Sequence, residues 1–325
     1  MSKIAVLFPG QGSQKVGMGK EAYELSAEAR NIFETADQAL DFSLSDIIFD
    51  GPEEELKLTY HTQPALLTTS IALYRWLQTK INIQPSFVAG HSLGEYAALV
   101  AAESLSFSDA VAAVYQRGLF MDQAVPAGVG AMSAVLNLDR SVLDQICEDI
   151  SVPGNVVQAA NYNCPGQIVI SGHADAVKTA GEKALEAGAR KVVSLAVSGP
   201  FHSSLMQPAA EKLQTKFSSY MFEQANIPVV TNVTATSITA ATDIQTSLVR
   251  QVASPVLWED TIRYLLKEGV DTFIEVGSGT VLAGLTRKVD RKVTMLNVQD
   301  QASLEKTISH LQARTEGLMT SDVNK

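Results

Sequence analysis

Short apolar runs of strand length recur along the chain with longer helical patterns between them, and this alternation constrains the fold more than any other feature. An apolar run at residues 4–8 is followed by a helical pattern over 19–40 and a long amphipathic stretch over 63–80. Parallel strands need crossover connections and helices supply them, so the pattern predicts an α/β core around a parallel sheet. Residues 87–89 predict a short strand ended by Gly90, with a strong helix former over 95–103 directly after it. Near Gly130 the rhythm changes to strand 131–136, helix 141–150, strand 156–160, strand 167–171, helix 174–187 and strand 191–197. That βαββαβ order is the ferredoxin-like arrangement, and its length of about 70 residues suits a small inserted domain. Strands at 229–230 and 272–276 and a helix over 258–268 then return to the α/β pattern. The expected organisation is an α/β core from 1–128 and 198–312, a ferredoxin-like insert over 129–197, and a polar, aperiodic, loosely held tail over 313–325.

Composition agrees with a large buried core. Of 325 residues, 46% are hydrophobic and 18% are charged, the latter against about 25% in an average soluble domain. A balance of 25 Lys+Arg against 35 Asp+Glu gives a net charge of −10, which excludes general affinity for nucleic acid or an anionic membrane. Cys147 and Cys164, with no CxxC spacing, fit a reducing compartment rather than a disulfide framework. The apolar N-terminal run is too short for a signal peptide or a membrane span, so a soluble cytoplasmic protein is expected; a monomer is the expected state, though nothing in the sequence fixes it. No cluster of ligating residues has metal-site spacing, and neither a metal nor a bound cofactor is expected.

Gly90-His91-Ser92-Leu93-Gly94 matches GxSxG, in which glycines permit a tight strand-to-helix turn that lifts a serine hydroxyl above the sheet. The motif alone is weak, but the required strand precedes it and the required helix follows. A serine needs a base within hydrogen-bond reach. His91 sits on the elbow and should point away, while His61, His173 and His310 lie in polar surroundings. His202 follows a strand and a Gly-Pro turn, where a side chain can be held at a cleft mouth. The loop Phe8-Pro9-Gly10-Gln11-Gly12-Ser13-Gln14 is neither a dinucleotide fingerprint nor a P-loop, and its backbone N–H groups are free to face an oxyanion. Arg117 sits in a mostly apolar helix and needs an anionic partner, either a structural carboxylate or a substrate carboxylate.

Together these segments resemble the malonyl-CoA:acyl carrier protein transacylase family. The resemblance covers about the first 310 residues and rests on FPGQGSQ at 8–14, TQPALL at 62–67, GHSLGEYAAL at 90–99, QRG at 116–118, NCPGQIVISG at 163–172, GPFHSSLM at 199–206, RQVASPVLW at 250–258 and EVGSGTVLAGL at 275–285. It implies a hydrolase-like α/β large domain with a ferredoxin-like insert, Ser92 as the acyl-accepting nucleophile and His202 as its base. It further implies that a backbone carbonyl near Arg250-Gln251, rather than an Asp, orients the histidine. Gln11 and Leu93 would supply the oxyanion-hole N–H groups and Arg117 would clamp the malonyl carboxylate. Gln63, Gln251 and Asn163 would line or support the pocket. Leu93 and Phe201 resemble the malonyl-type rather than the methylmalonyl-type pattern.

The implied substrates are malonyl-CoA and acyl carrier protein, in a ping-pong exchange serving fatty acid synthesis. A serine hydrolase, a non-catalytic acyl-CoA-binding protein and a polyketide acyltransferase are the competing readings. His202 is expected to titrate near the ordinary histidine value of about 6.5. Because CoA and an acidic carrier would be repelled by a net-negative surface, basic residues are expected at the cleft mouth, with Arg190-Lys191, Arg287-Lys288 and Arg291-Lys292 as candidates.

Overall fold

The computed structural model describes residues 3–322. Among the described residues, ten strands form two sheets: β1 (Lys3–Phe8), β2 (Phe87–Gly90), β7 (Val229–Val230), β8 (Ser237–Ile238), β9 (Val270–Val276) and β10 (Thr294–Val298) in one, β3 (Gly130–Leu136), β4 (Val157–Cys164), β5 (Gln167–His173) and β6 (Lys191–Ser194) in the other. The first has the order β10-β9-β1-β2-β7-β8 and is parallel except for the β7–β8 pair. The second is antiparallel with the order β4-β5-β3-β6, and its two helices, Arg140–Ile150 and Ala174–Glu186, complete the ferredoxin-like βαββαβ unit. The protein is therefore an α/β fold with a ferredoxin-like insert.

Residues alternate along β1 in the way a sheet covered on both faces requires. Val6 and Phe8 join a core with the helices Thr59–Lys80, Gly94–Ala101 and Phe107–Asp122. Ala5 and Leu7 join the opposite core with Trp258, Ile262, Leu282 and Leu285. A third core lies between the small sheet and its two helices, around Val135, Leu143, Ile170 and Ala180. From β1 the sheet grows to one side through β2 and β7, and after the chain crosses back it grows to the other side through β9 and β10, so the direction of winding reverses beside β1. A crevice opens at the carboxyl ends of strands at such a switch point.

Four local features differ from the sequence expectation. The pattern over 19–40 is two helices, Lys20–Leu25 and Ala27–Leu40, divided at Ser26, whose hydroxyl accepts from Ala29 N at 3.3 Å and caps the second helix. The stretch expected to be amphipathic is buried on almost every side, because Thr59–Lys80 is packed centrally. β6 ends at Ser194, three residues early, and Leu195–Ser198 turn towards the cleft instead. Residues 313–322, expected as a loose tail, continue the helix Gln301–Asp322, and residues 323–325 lie outside the described residues.

Candidate active site

The crevice at the switch point is a cleft of about 510 Å³, walled by the loop after β1, the turn after β2 and residues of the small sheet. Its floor is Ser92. The turn carrying it is forced by close packing: a Cβ on Gly90 would lie 1.9 Å from the Gly94 carbonyl carbon, and one on Gly94 would lie 2.1 Å from Phe8 O. Ser92 itself has φ +50°, in the left-handed region where a non-glycine residue is strained. The strand-turn-helix geometry is that of a nucleophile elbow.

His202, in the loop after β6, places Nε2 2.7 Å from Ser92 Oγ. Its Nδ1 lies 2.9 Å from the backbone oxygen of Gln251, the last residue of the helix Ala241–Gln251. A carbonyl only accepts, so Nδ1 carries the proton and Nε2 presents a lone pair to the serine hydroxyl. The orienting group is thus a backbone carbonyl, and no carboxylate takes the third position. The expectation of an ordinary histidine pKa is corrected: burial, reinforced by the Arg117 charge, lowers His202 to about 3.

Arg117, on the helix Phe107–Asp122, is 1% exposed. Its Nη1 donates to Gln63 Oε1 at 2.7 Å, and its Nη2 donates to Gln251 Oε1 at 3.0 Å and to Ser92 Oγ at 3.1 Å. Its Nε is buried without a partner, and its guanidinium carbon lies 5.8 Å from the Tyr96 ring centroid. None of the ion pairs among the described residues involves Arg117. Of the two partners the sequence allowed, a structural carboxylate in contact is therefore absent among the described residues.

The other expected residues gather around these three. The backbone N–H groups of Gln11 and Leu93 donate to no acceptor among the described residues, and the Gln11 loop lines the cleft beside Ser92. Asn163 Oδ1 lies 2.9 Å from His91 Nε2, while the His91 ring packs 5.4 Å from Trp258. His91 spends its Nε2 on Asn163 and makes no hydrogen bond to Ser92 or His202 among the described residues, although it lines the same cleft. Gln63 reaches Met121 Sδ with its amide nitrogen at 3.6 Å. Cys147 and Cys164 are buried, and burial raises both thiols, Cys147 to about 12, which makes them unreactive. No group of three or more His, Cys, Asp and Glu side chains among the described residues could hold a metal ion, and no described helix is long and apolar enough to cross a membrane.

Two residues escaped the sequence reading. Asn232 accepts from Ser92 N at 2.7 Å and donates to Gly90 O at 2.7 Å, so it pins the elbow from below. Glu95 is fully buried beneath the site and bonded to Asn232 N and Gln251 Nε2. A signal for Glu95 existed, since it is the one charged residue in the otherwise apolar helix Gly94–Ala101. Asn232 stands in an unremarkable polar stretch and gave none.

An acyl transferase domain model matches residues 6–320. The malonyl CoA-acyl carrier protein transacylase of Bacillus subtilis is 52% identical over 316 residues, covering 97% of this chain and 99% of its own length. The Staphylococcus aureus protein of the same name is 46% identical over 299 residues, covering 92% of this chain and 96% of its own. Among solved structures, the malonyl CoA-acyl carrier protein transacylase from Clostridium perfringens superposes with TM-score 0.93 at 41% identity, over 98% of this chain and all of that one. A malonyl-transacylase solved in complex with its type II polyketide acyl carrier protein superposes with TM-score 0.92 at 40% identity, over 95% of this chain and all of that one. The chain is an enzyme, an acyltransferase. It belongs to the acyl transferase family, and within it to the malonyl-CoA:acyl carrier protein transacylases.

Proposed function

We propose that the enzyme moves malonyl from malonyl-CoA to the phosphopantetheine thiol of an acyl carrier protein through a malonyl ester on Ser92, and so supplies fatty acid synthesis. The observation that carries this reading is the Arg117 guanidinium. It is buried 3.1 Å from Ser92 Oγ, held only by neutral acceptors, with its Nε unpaired. A buried cation with spare donors beside a nucleophile calls for a substrate with a free carboxylate close to its reacting carbonyl, and malonyl has that shape.

His202 Nε2 takes the Ser92 proton as Oγ attacks the thioester carbonyl. The N–H groups of Gln11 and Leu93 receive the negative charge of the tetrahedral intermediate. Collapse breaks the carbon–sulfur bond, and the His202 proton leaves on the CoA thiol. The carrier thiol then gives its proton to His202, attacks malonyl-Ser92, and displaces Oγ, which recovers the proton. Two half-reactions sharing one covalent intermediate give ping-pong kinetics. Gln63 and Gln251 hold the guanidinium, and Asn163 holds the His91 ring that packs under the elbow.

Carrier and CoA meet the cleft from its rim. Arg190, Lys191, Arg287, Lys288, Arg291 and Lys292 are exposed, and Lys288 Nζ donates at 3.3 Å to Gln167 Oε1, a residue lining the cleft. This supports electrostatic capture at the mouth despite the overall charge of −10. The neighbour solved with a polyketide carrier favours a second reading in which the carrier serves polyketide assembly, with unchanged chemistry.

Intact mass after malonyl-CoA treatment should rise by one malonyl group, mapped to Ser92 and absent in Ser92→Ala. Addition of holo carrier protein should then clear it, while buffer leaves it in place. Loss to buffer at the same rate would make the protein a hydrolase, and comparison of fatty acid and polyketide carriers separates the two pathways.

A further inference from the structure

Beneath the reacting groups lies a buried carboxylate that no step of the exchange uses. Glu95 Oε2 accepts from Gln251 Nε2 at 2.9 Å and from Asn232 N at 2.8 Å. Gln251 Nε2 also donates to Ser92 O at 3.1 Å, and its Oε1 accepts from Arg117 Nη2 at 3.0 Å. A guanidinium only donates and a carboxylate favours accepting, so the Gln251 amide satisfies both neighbours in one of its two orientations and neither in the other. The same residue's backbone oxygen orients His202.

We propose that Glu95 is a positioning residue for substrate selection: by fixing which end of the Gln251 side-chain amide faces Arg117, it holds the guanidinium where an acyl carboxylate must meet it. The inference rests on the malonyl reading. Glu95 Oε2, at 2.9 Å, is the shortest of three acceptors on the NH2 end; without it only Ser92 O at 3.1 Å and Asn232 Oδ1 at 3.4 Å oppose a turn of the amide towards Arg117, where donor faces donor and the guanidinium must shift. An acyl group with no carboxylate does not feel that shift directly, so the effect appears in the choice between acyl groups.

Burial holds the Glu95 carboxyl at about 7, against the opposing effects of the Asn232 and Gln251 bonds and the Arg117 charge. Tyr96 and Arg117 are the other ionisable groups that face it, and Tyr96 is kept neutral by burial. A neutral carboxyl keeps an acceptor oxygen, so the arrangement survives protonation. The oxygen's position matters here, rather than its charge.

Two near-isosteric variants separate position from charge. Glu95→Gln keeps an acceptor at the same distance and removes the charge. Glu95→Asp keeps the charge and withdraws the oxygen by about 1.5 Å, one carbon–carbon bond, beyond reach of Gln251. Each is assayed for kcat/KM with malonyl-CoA and with acetyl-CoA, using holo carrier protein, alongside thermal melting. The malonyl-to-acetyl ratio should fall about tenfold in Glu95→Asp and stay within about twofold of wild type in Glu95→Gln. In a Gln251→Ala background, Glu95→Asp should lower the ratio no further, because its effect runs through Gln251. A ratio unchanged in Glu95→Asp, with only the melting temperature lowered, would overturn the proposal and make Glu95 structural. A fall in Glu95→Gln with the ratio kept in Glu95→Asp would overturn it in favour of charge, and an equal fall in both would overturn it by showing that any change at this position disturbs the site. The wild-type protein is tested first for malonyl-Ser92, and failure to form it would refute the malonyl reading itself, whatever Glu95 does.

Discussion

On the proposed malonyl reading, replacing Arg117 with alanine should leave an enzyme that handles acetyl at least as well as malonyl. In the folded protein the residue is 1% exposed, and among the described residues its guanidinium donates to Gln63, Gln251 and Ser92 and lies against the Tyr96 ring. A malonyl carboxylate entering this site of the variant is a buried charge with its partner removed, which costs about 3–5 kcal/mol. At 1.4 kcal/mol per factor of ten, kcat/KM for malonyl-CoA should drop by roughly 140- to 3,700-fold. Acetyl lacks that carboxylate and loses only whatever the Nη2 contact to Ser92 Oγ contributes, so its kcat/KM should move by no more than about tenfold. Two amide oxygens also lose a donor, at about 1–3 kcal/mol each, against which stands the relief of no longer burying a cation. The melting temperature should therefore fall modestly rather than collapse. Transfer of labelled malonyl and acetyl to holo carrier protein, measured side by side, reads the ratio directly. Arg117→Lys should fall between, since a compact ammonium keeps the charge but loses the fork. Equal losses for both acyl groups would refute the assignment and return Arg117 to a purely structural role.

Three further outcomes are expected. Because burial and the Arg117 charge hold His202 at about 3, the base stays neutral on acidification, and malonyl kcat/KM should show no limb at the ordinary histidine value between about pH 5.5 and 7.5. A limb at that value in the profile, still present in Glu95→Gln, would refute this. Lys288→Glu combined with Arg287→Glu should raise KM for carrier protein severalfold at low salt, and the effect should fade as salt rises; an unchanged KM would remove the rim from the docking surface. Gly94→Ala should destabilise by about 3 kcal/mol and abolish acylation, because its Cβ would lie 2.1 Å from the backbone oxygen of Phe8 and must push β1 from the elbow; a normally melting, active variant would show that the elbow yields.

The α/β architecture was legible because its cause is local. Apolar runs at 4–8 and 87–89, a helix directly after Gly94 and the βαββαβ rhythm between 130 and 194 each follow from side-chain period and turn chemistry. Ser92 and His202 were legible for a related reason, since the elbow glycines and the Gly-Pro turn mark unusual backbone. Other features depend on contacts between distant segments. The division at Ser26 turns on one capping hydroxyl inside a continuous helical pattern, and the Thr59–Lys80 helix reads as amphipathic until packing surrounds it. The His202 pKa needs the depth of the site, and the Glu95–Gln251–Arg117 chain joins residues up to 156 positions apart. Family resemblance placed Gln251 near the base, but the two jobs of that residue, backbone oxygen to His202 and side-chain oxygen to Arg117, are visible only in three dimensions.

Efforts to broaden the acyl range usually start by carving space, and here the obvious wall to carve is the one formed by Met132 and Val169 of the small sheet with Leu195 just beyond its last strand. Extra volume there leaves a permanent positive charge 3.1 Å from Ser92 Oγ, the atom proposed to carry the acyl group. An aliphatic chain of any length must lie against that charge, strip its surroundings of water and offer nothing in return. Chain length is thus screened at the reacting end of the acyl group, and a redesign for fatty acyl transfer has to neutralise position 117 before it enlarges anything.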